Sequence, residues 1–339
     1  MKGFHSTTSV MFSRWISVLA IFLAPHAAWS KTWQASAGVQ TTDEGIQALA
    51  FLADELWVHV GDSITWTFPT PEIHTVTFLK QDTMPQQIRP PRPGVLGGGC
   101  PGTTPDGSSF TGSTCLTSPE LTDGQTYTVT FPKAGNFKLV CLVHNNMTGA
   151  VHVLNPPEPL PHDQAFYDDQ ARKEQAKLLS DGAGLRGRGT ATAQQSSADA
   201  VTAGIGEIVA EGGGSHTVSV MRFLGESIVV NVGDTVEWTN LDPVTPHTVT
   251  FGAEPAGPPQ PPSPGVTTDP DGARHAVLTS PADSAHSGFL QAAFQDRVPL
   301  PQAPLGKTRF RVTFTSPGTY NYMCVLHDGL GMVGRVIVH

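Results

Sequence analysis

Charge is scarce in this chain. Only 14% of its 339 residues are Asp, Glu, Lys or Arg, and the 20 basic residues are outnumbered by 29 acidic ones. A deficit of that sign argues against nucleic acid as a partner, because phosphate backbones are held by clustered Lys and Arg. Cysteine is nearly absent, with four copies, and none stands near position 30 to carry a lipid. No apolar run approaches the roughly 20 residues a membrane-spanning helix needs. Trp15 to Ala24 is apolar, Lys2 and Arg14 charge the front, and Ala28-Trp29-Ser30 offers small residues for cleavage. Residues 1–30 therefore read as a secretory signal, and the mature protein is expected to be periplasmic or extracellular, beginning near Lys31. It would keep 18 basic and 29 acidic residues, a net charge of −11.

What is plentiful is glycine and proline, 35 and 29 copies. Low charge with many turn residues suits short strands better than a helical bundle, so the fold class is all-β. The length allows two domains and a linker. The same order of features then occurs twice. Phe51-Leu52 and Phe223-Leu224 each stand ten residues before a Gly-Asp pair, Gly61-Asp62 and Gly233-Asp234. A strand with an inward tryptophan follows, Trp66 or Trp238, then His-Thr-Val-Thr-Phe starting at His74 or His247. Later come an alternating strand (Tyr127 to Phe131, Phe310 to Phe314), a turn at Gly135 or Gly318, a strand entering Cys-x-x-His, and a closing valine-rich strand. Period-two alternation between Gly, Pro, Asn and Asp is the strand signal, and two antiparallel sandwiches are expected.

These landmarks divide the chain into a signal at 1–30, a first domain at 31–155, a linker at 156–204 and a second domain at 205–339. Within the linker, His162 to Leu179 has the composition of one polar helix. Two Pro/Gly-rich inserts, Gln81 to Ser113 and Ala253 to Ser284, read as loops covering one end of each sandwich. Cys100 and Cys115 flank part of the first insert and, in an oxidising compartment, are expected to pair.

The other two cysteines belong to the repeat. Cys324 is followed by His327 and Met332, with His247 far upstream; the first half offers Cys141, His144, Met147 and His74. A thiolate, two imidazoles and a thioether select copper, with three strong ligands in a plane and a weak axial sulfur. A geometry acceptable to both Cu(I) and Cu(II) lets the ion change charge with little rearrangement, which suits electron transfer. A zinc site would more often offer a further Cys, His or carboxylate than a Met.

The loop from Cys324 to Met332 resembles the ligand loop of plastocyanins, and Cys141 to Met147 resembles the shorter amicyanin loop. Over most of 45–154 and 215–339 the chain is similar to the cupredoxins, the blue copper proteins. That resemblance implies a Greek-key β-sandwich per half, one type 1 copper ion in each, single-electron carriage between redox protein partners, and no enzymatic turnover. In one respect the chain departs from it: many cupredoxins carry Asn after the first ligand histidine, where this chain has Thr75 and Thr248, which would alter the hydrogen bonding at the thiolate.

Two alternatives use the same residues: storage or delivery of Cu(I), and a multicopper oxidase or nitrite reductase. The second needs His-x-His pairs or a histidine directly before the ligand cysteine, yet Val140 and Met323 stand there and no His-x-His occurs. His59 and His152 have no histidine counterparts in the second half and read as surface residues.

Overall fold

The structure is a computed structural model. It describes residues 30–81, 102–144, 146–195, 199–211, 213–255, 261–291 and 308–339, with residues 1, 3 and 100. Nearly all of the expected signal segment, and residues 82–99, 101 and 256–260 of the two inserts, lie outside the described residues.

The first half contains β1 (Thr32–Gln40), β2 (Ile46–Leu52), β3 (Glu55–His59), β4 (Ser63–Thr67), β5 (Thr77–Phe78), β6 (Leu116–Thr117), β7 (Thr126–Thr130), β8 (Gly135–Val140) and β9 (Thr148–Leu154). One α-helix among the described residues, α1 (Gln164–Gln195), follows. The second half contains β10 (Ala200–Glu211), β11 (Gly214–Leu224), β12 (Ser227–Val230), β13 (Thr235–Leu241), β14 (Thr250–Phe251), β15 (Thr267–Thr268), β16 (Arg274–Leu278), β17 (Ala285–His286), β18 (Arg309–Phe314), β19 (Gly318–Met323) and β20 (Val333–Val338). The all-β expectation holds, with a helix where one was expected in the linker.

Each half is a two-layered sandwich. In the first, β2-β1-β4-β7 faces β3-β9-β8-β5-β6; in the second, β11-β10-β13-β18-β16-β15 faces β12-β20-β19-β14-β17. The alternation seen in the sequence is the burial pattern: along β4 the residues inward are Ile64 and Trp66, along β18 Phe310, Val312 and Phe314. Trp66 and Trp238 sit at the centre of separate cores, each within 6 Å of a phenylalanine ring, Phe78 and Phe251. Two features differ from the loops and linker expected. The insert 253–284 contributes β15 and β16 to a sheet, because Ala276 and Leu278 alternate inward beside β18. And β10 opens at Ala200, within the stretch read as linker, because Val201 and Ala203 are core residues.

The two sandwiches share an edge. β2 pairs antiparallel with β11, with Gln47 opposite Ser219. Phe51 and Phe223 are separated by 172 positions in the repeat, and Gln47 and Ser219 by the same interval, so equivalent residues face each other. The junction is thus self-complementary, like the interface of a two-fold dimer. Helix α1 lies across it. Leu178 and Leu185 pack on Ile46, Ala48, Ala50 and Leu52 of β2 and on Val218, Val220 and Leu224 of β11. The polar helix expected at 162–179 therefore extends to Gln195 and is held by both halves. It comes close through Gly182, where an added Cβ would lie 2.3 Å from Ile46, and Gly189, where it would lie 2.4 Å from Leu224. Each glycine in a helix costs about 1 kcal/mol against alanine, which this close packing offsets.

Candidate metal centres

Each candidate centre is assembled from one strand end and one loop. His74 and His247 lie just before β5 and β14, fixed by bridges to Leu121 and Leu290. Cys141 and Cys324 end β8 and β19, which pair with β5 and β14. The first loop closes where the Cys141 N–H donates to the Met147 carbonyl at 2.9 Å; the second closes where Cys324 N–H donates to Met332 at 3.0 Å. Inside the longer second loop, Asp328–Leu330 form a 3₁₀ turn ended by Gly331 at φ 89°. Met147 and Met332 are fully buried at the base of their loops.

The structure brings His74, Cys141 and His144 together, and likewise His247, Cys324 and His327, with the donor atoms of each trio within 4.8 Å of one another. In the first trio the two Nδ1 atoms are 3.2 Å apart, and Cys141 Sγ stands 4.0 Å from His144 Nδ1. In the second the Nδ1 atoms are 3.1 Å apart, with Sγ 3.9 and 3.5 Å from them. Ligands about 2.0–2.3 Å from one ion stand about 3.5 Å from each other in a trigonal plane, so both trios fit a shared metal. Two ring nitrogens facing each other this closely also require a proton or cation between them. The imidazoles act on the thiols: burial alone would raise Cys141, but His144 and His74 draw it well below the usual range, as His327 and His247 do for Cys324. A thiolate is the form that binds metal.

The threonine that follows each upstream histidine contacts the cysteine and its loop. Thr75 N–H points at Cys141 Sγ from 3.4 Å, and the Thr75 hydroxyl accepts the Leu142 N–H at 2.8 Å. Thr248 repeats both contacts, at 3.4 Å to Cys324 Sγ and 2.9 Å from Val325 N. Each threonine thereby ties the histidine strand to the cysteine loop.

Some residues around these centres gave no signal in the sequence. Gly38 and Gly204, at irregularities in the β1–β2 and β10–β11 pairing, lie against the remote edges of His74 and His247. The repeat could have revealed them, since Ala37-Gly38-Val39 matches Ala203-Gly204-Ile205, but the intervening hairpin differs in length. Asp242, fully buried, places Oδ2 4.0 Å from His247 Nε2. Glu72 is buried between the halves: its Oε1 accepts from His144 Nε2 at 3.0 Å and its Oε2 lies 3.9 Å from His327 Nε2. Burial would raise this carboxyl, but His144 and its neighbours hold it at about 2; conversely, burial opposes the charge on His144, but Cys141 and Glu72 lift it to about 10. His59 and His152 belong to no donor cluster among the described residues. His152 sits between Asn136 and Glu55 and stacks on Trp57, and so is half-buried, not a free surface residue. Cys100 and Cys115 are joined in a disulfide.

Residues 211–339, the half that holds His247, Cys324, His327 and Met332, match the copper binding proteins of the plastocyanin/azurin family. The match lies in the second half of the chain. The chain is 32% identical over 113 residues to a plastocyanin of Synechococcus sp. (strain JA-2-3B'a(2-13)), an alignment covering 33% of the chain and 60% of the relative's length. Among solved structures, a mutant plastocyanin of fern shares 24% identity at a TM-score of 0.22, over 41% of the chain and 99% of the fern protein. An oxidised amicyanin mutant shares 23% at a TM-score of 0.23, over 36% and 81%.

Proposed function

We propose that the chain is an exported electron carrier, not an enzyme, with one type 1 copper centre in each half. His74, Cys141, His144 and Met147 would hold the first ion, and His247, Cys324, His327 and Met332 the second. The observation that carries this reading is the duplicated trio: a thiolate and two facing imidazoles, buried, at donor spacings that suit one ion, on the family scaffold in one half and on an equivalent strand order in the other. Bound copper would supply a reversible one-electron change. The chain's own part is to keep the donors in place in both oxidation states, through the loop closures and threonine ties, and to keep water from them by burial.

Residues 1–30 would be removed on export. At the expected start of the mature chain, the Asp62 carboxylate accepts the Lys31 N–H at 2.8 Å and the Trp33 indole N–H at 2.9 Å. Among the described residues no helix is long and apolar enough to cross a membrane. The acidic mature chain suits a redox protein partner of opposite charge.

The test is metal content and an optical spectrum of the purified mature chain. Two coppers per chain and a strong red-region absorption that reduction removes are expected. Cys324→Ser should abolish the contribution of the second half alone. A copper-loaded but colourless protein would defeat the proposal.

A further inference from the structure

In each half, the loop histidine turns Nδ1 inward to the donor trio and leaves Nε2 facing out of the sandwich. On a lone domain that edge would point to solvent. Here the edges of His144 and His327 both face one side chain, Glu72: one carboxylate oxygen accepts a hydrogen bond from His144 at 3.0 Å, and the other stands 3.9 Å from His327, an electrostatic contact longer than a hydrogen bond. All three residues are buried. The junction that brings them together is extensive: β2–β11 pairing, the Thr148–Ser215 hydroxyl contact at 3.1 Å, and Arg222 of the second half reaching the Asp43 carbonyl of the first. Glu72 has no twin. Two residues before His247 stands Thr245, whose hydroxyl is engaged by Ser219 Oγ at 3.2 Å. A second buried acid at the same junction would place like charges together.

We propose that Glu72 is a carboxylate shared by the two centres. It positions both loop histidines at once and makes the two sites a coupled pair, each sensing the other through a single side chain. The chemical basis is general. A carboxylate on the far nitrogen of a metal-binding imidazole fixes its tautomer and ring orientation and raises its basicity. One carboxylate serving two rings transmits a change in either ring to the other. The proposal rests on the reading of both trios as copper sites.

The test uses the full mature chain. Cys324→Ser leaves only the first site and Cys141→Ser only the second; in each background Glu72 is compared with the isosteric Glu72→Gln by competition for Cu(I) with a chromophoric chelator. Glu72→Gln should weaken the first site about 10–100-fold, the range typical of such contacts, and the second, more distant, by a smaller factor. Independently of any variant, ¹H–¹⁵N spectra of the metal-free and Zn(II)-loaded chain should show two slowly exchanging imidazole Nε2–H signals, both lost in Glu72→Ala. A second site unchanged within twofold, or one protected signal in place of two, would overturn the shared role and make Glu72 a local partner of His144. Failure of the copper reading is a separate result, since it appears as absent colour while the imidazole signals persist.

Discussion

Replacing Gly204 by alanine should displace His247 and disable the second centre while sparing the first. Gly204 has φ 79°, a conformation in which a Cβ costs about 1–2 kcal/mol. The steric term is larger. An added Cβ would stand 2.1 Å from His247 Nε2 and 2.3 Å from its Cδ2, whereas ordinary contact begins at 3.4 Å, so the ring must retreat by about 1.3 Å. Metal–ligand distances tolerate about 0.2 Å. A ring moved several times that far no longer completes the trio, and copper affinity of the second half should fall by at least the 10–100-fold that loss of a mere supporting contact costs. Gly38→Ala is a graded companion: its Cβ would lie 2.6 Å from His74 Nε2, a retreat of about 0.8 Å, with strain of the same kind at φ 84°. The assay is copper titration of Gly204→Ala in the Cys141→Ser background, read by the optical band and by competition with a chelator, with circular dichroism to show that the fold survives. Parent-like affinity would refute the claim that these glycines keep the histidine seats open.

Other perturbations test other contacts. Thr248→Val removes the acceptor of the Val325 N–H and should destabilise the second half by about 1–3 kcal/mol, seen as a lower unfolding midpoint and a shifted optical band; an unchanged protein would show that the hydroxyl tie is idle. Leu178→Ala opens a cavity under α1 and should cost about 2–5 kcal/mol, with earlier protease cleavage around the helix; an unaltered urea midpoint would mean that the helix is not docked. In acid, Arg311 matters. Its hydrogen bond holds Asp269 below the ordinary value of 3.8 and does the same for Asp271. A depressed carboxyl contributes stability that is present above its ordinary value and is lost as pH falls through the depressed one. Arg311→Met should therefore move the acid unfolding of the second half, followed by Trp238 fluorescence, to higher pH; no movement would mean that the cluster is only a solvated surface.

Much of the candidate site was legible because the chain states it twice. Cys141 alone is an ordinary buried residue; Cys141 and Cys324, each three residues before a histidine and each preceded by a distant His-Thr-Val-Thr-Phe, are a pattern. The strands were legible from alternation, which for β4 and β18 is the burial pattern itself. The rest depended on contacts between the halves. Glu72 has no counterpart in the repeat and gives no signal in sequence; only the β2–β11 junction makes it a buried residue between two histidines. Helix α1 carries few apolar side chains, and part of its packing runs through Gly182 and Gly189, which leave no hydrophobic periodicity to detect. β10 was obscured by the small residues that open it, and β16 by the Pro/Gly-rich insert around it.

The self-facing pair Gln47 and Ser219 marks an axis that ordinarily belongs to two separate molecules. A true homodimer must repeat every residue across such an axis and falls apart on dilution. Tethered copies obey neither constraint: their effective concentration is set by the connection between them and not by how much protein the compartment holds. One copy is therefore free to keep an acid where the other has Thr245, so each half can be tuned by mutation separately while the assembly stays permanent.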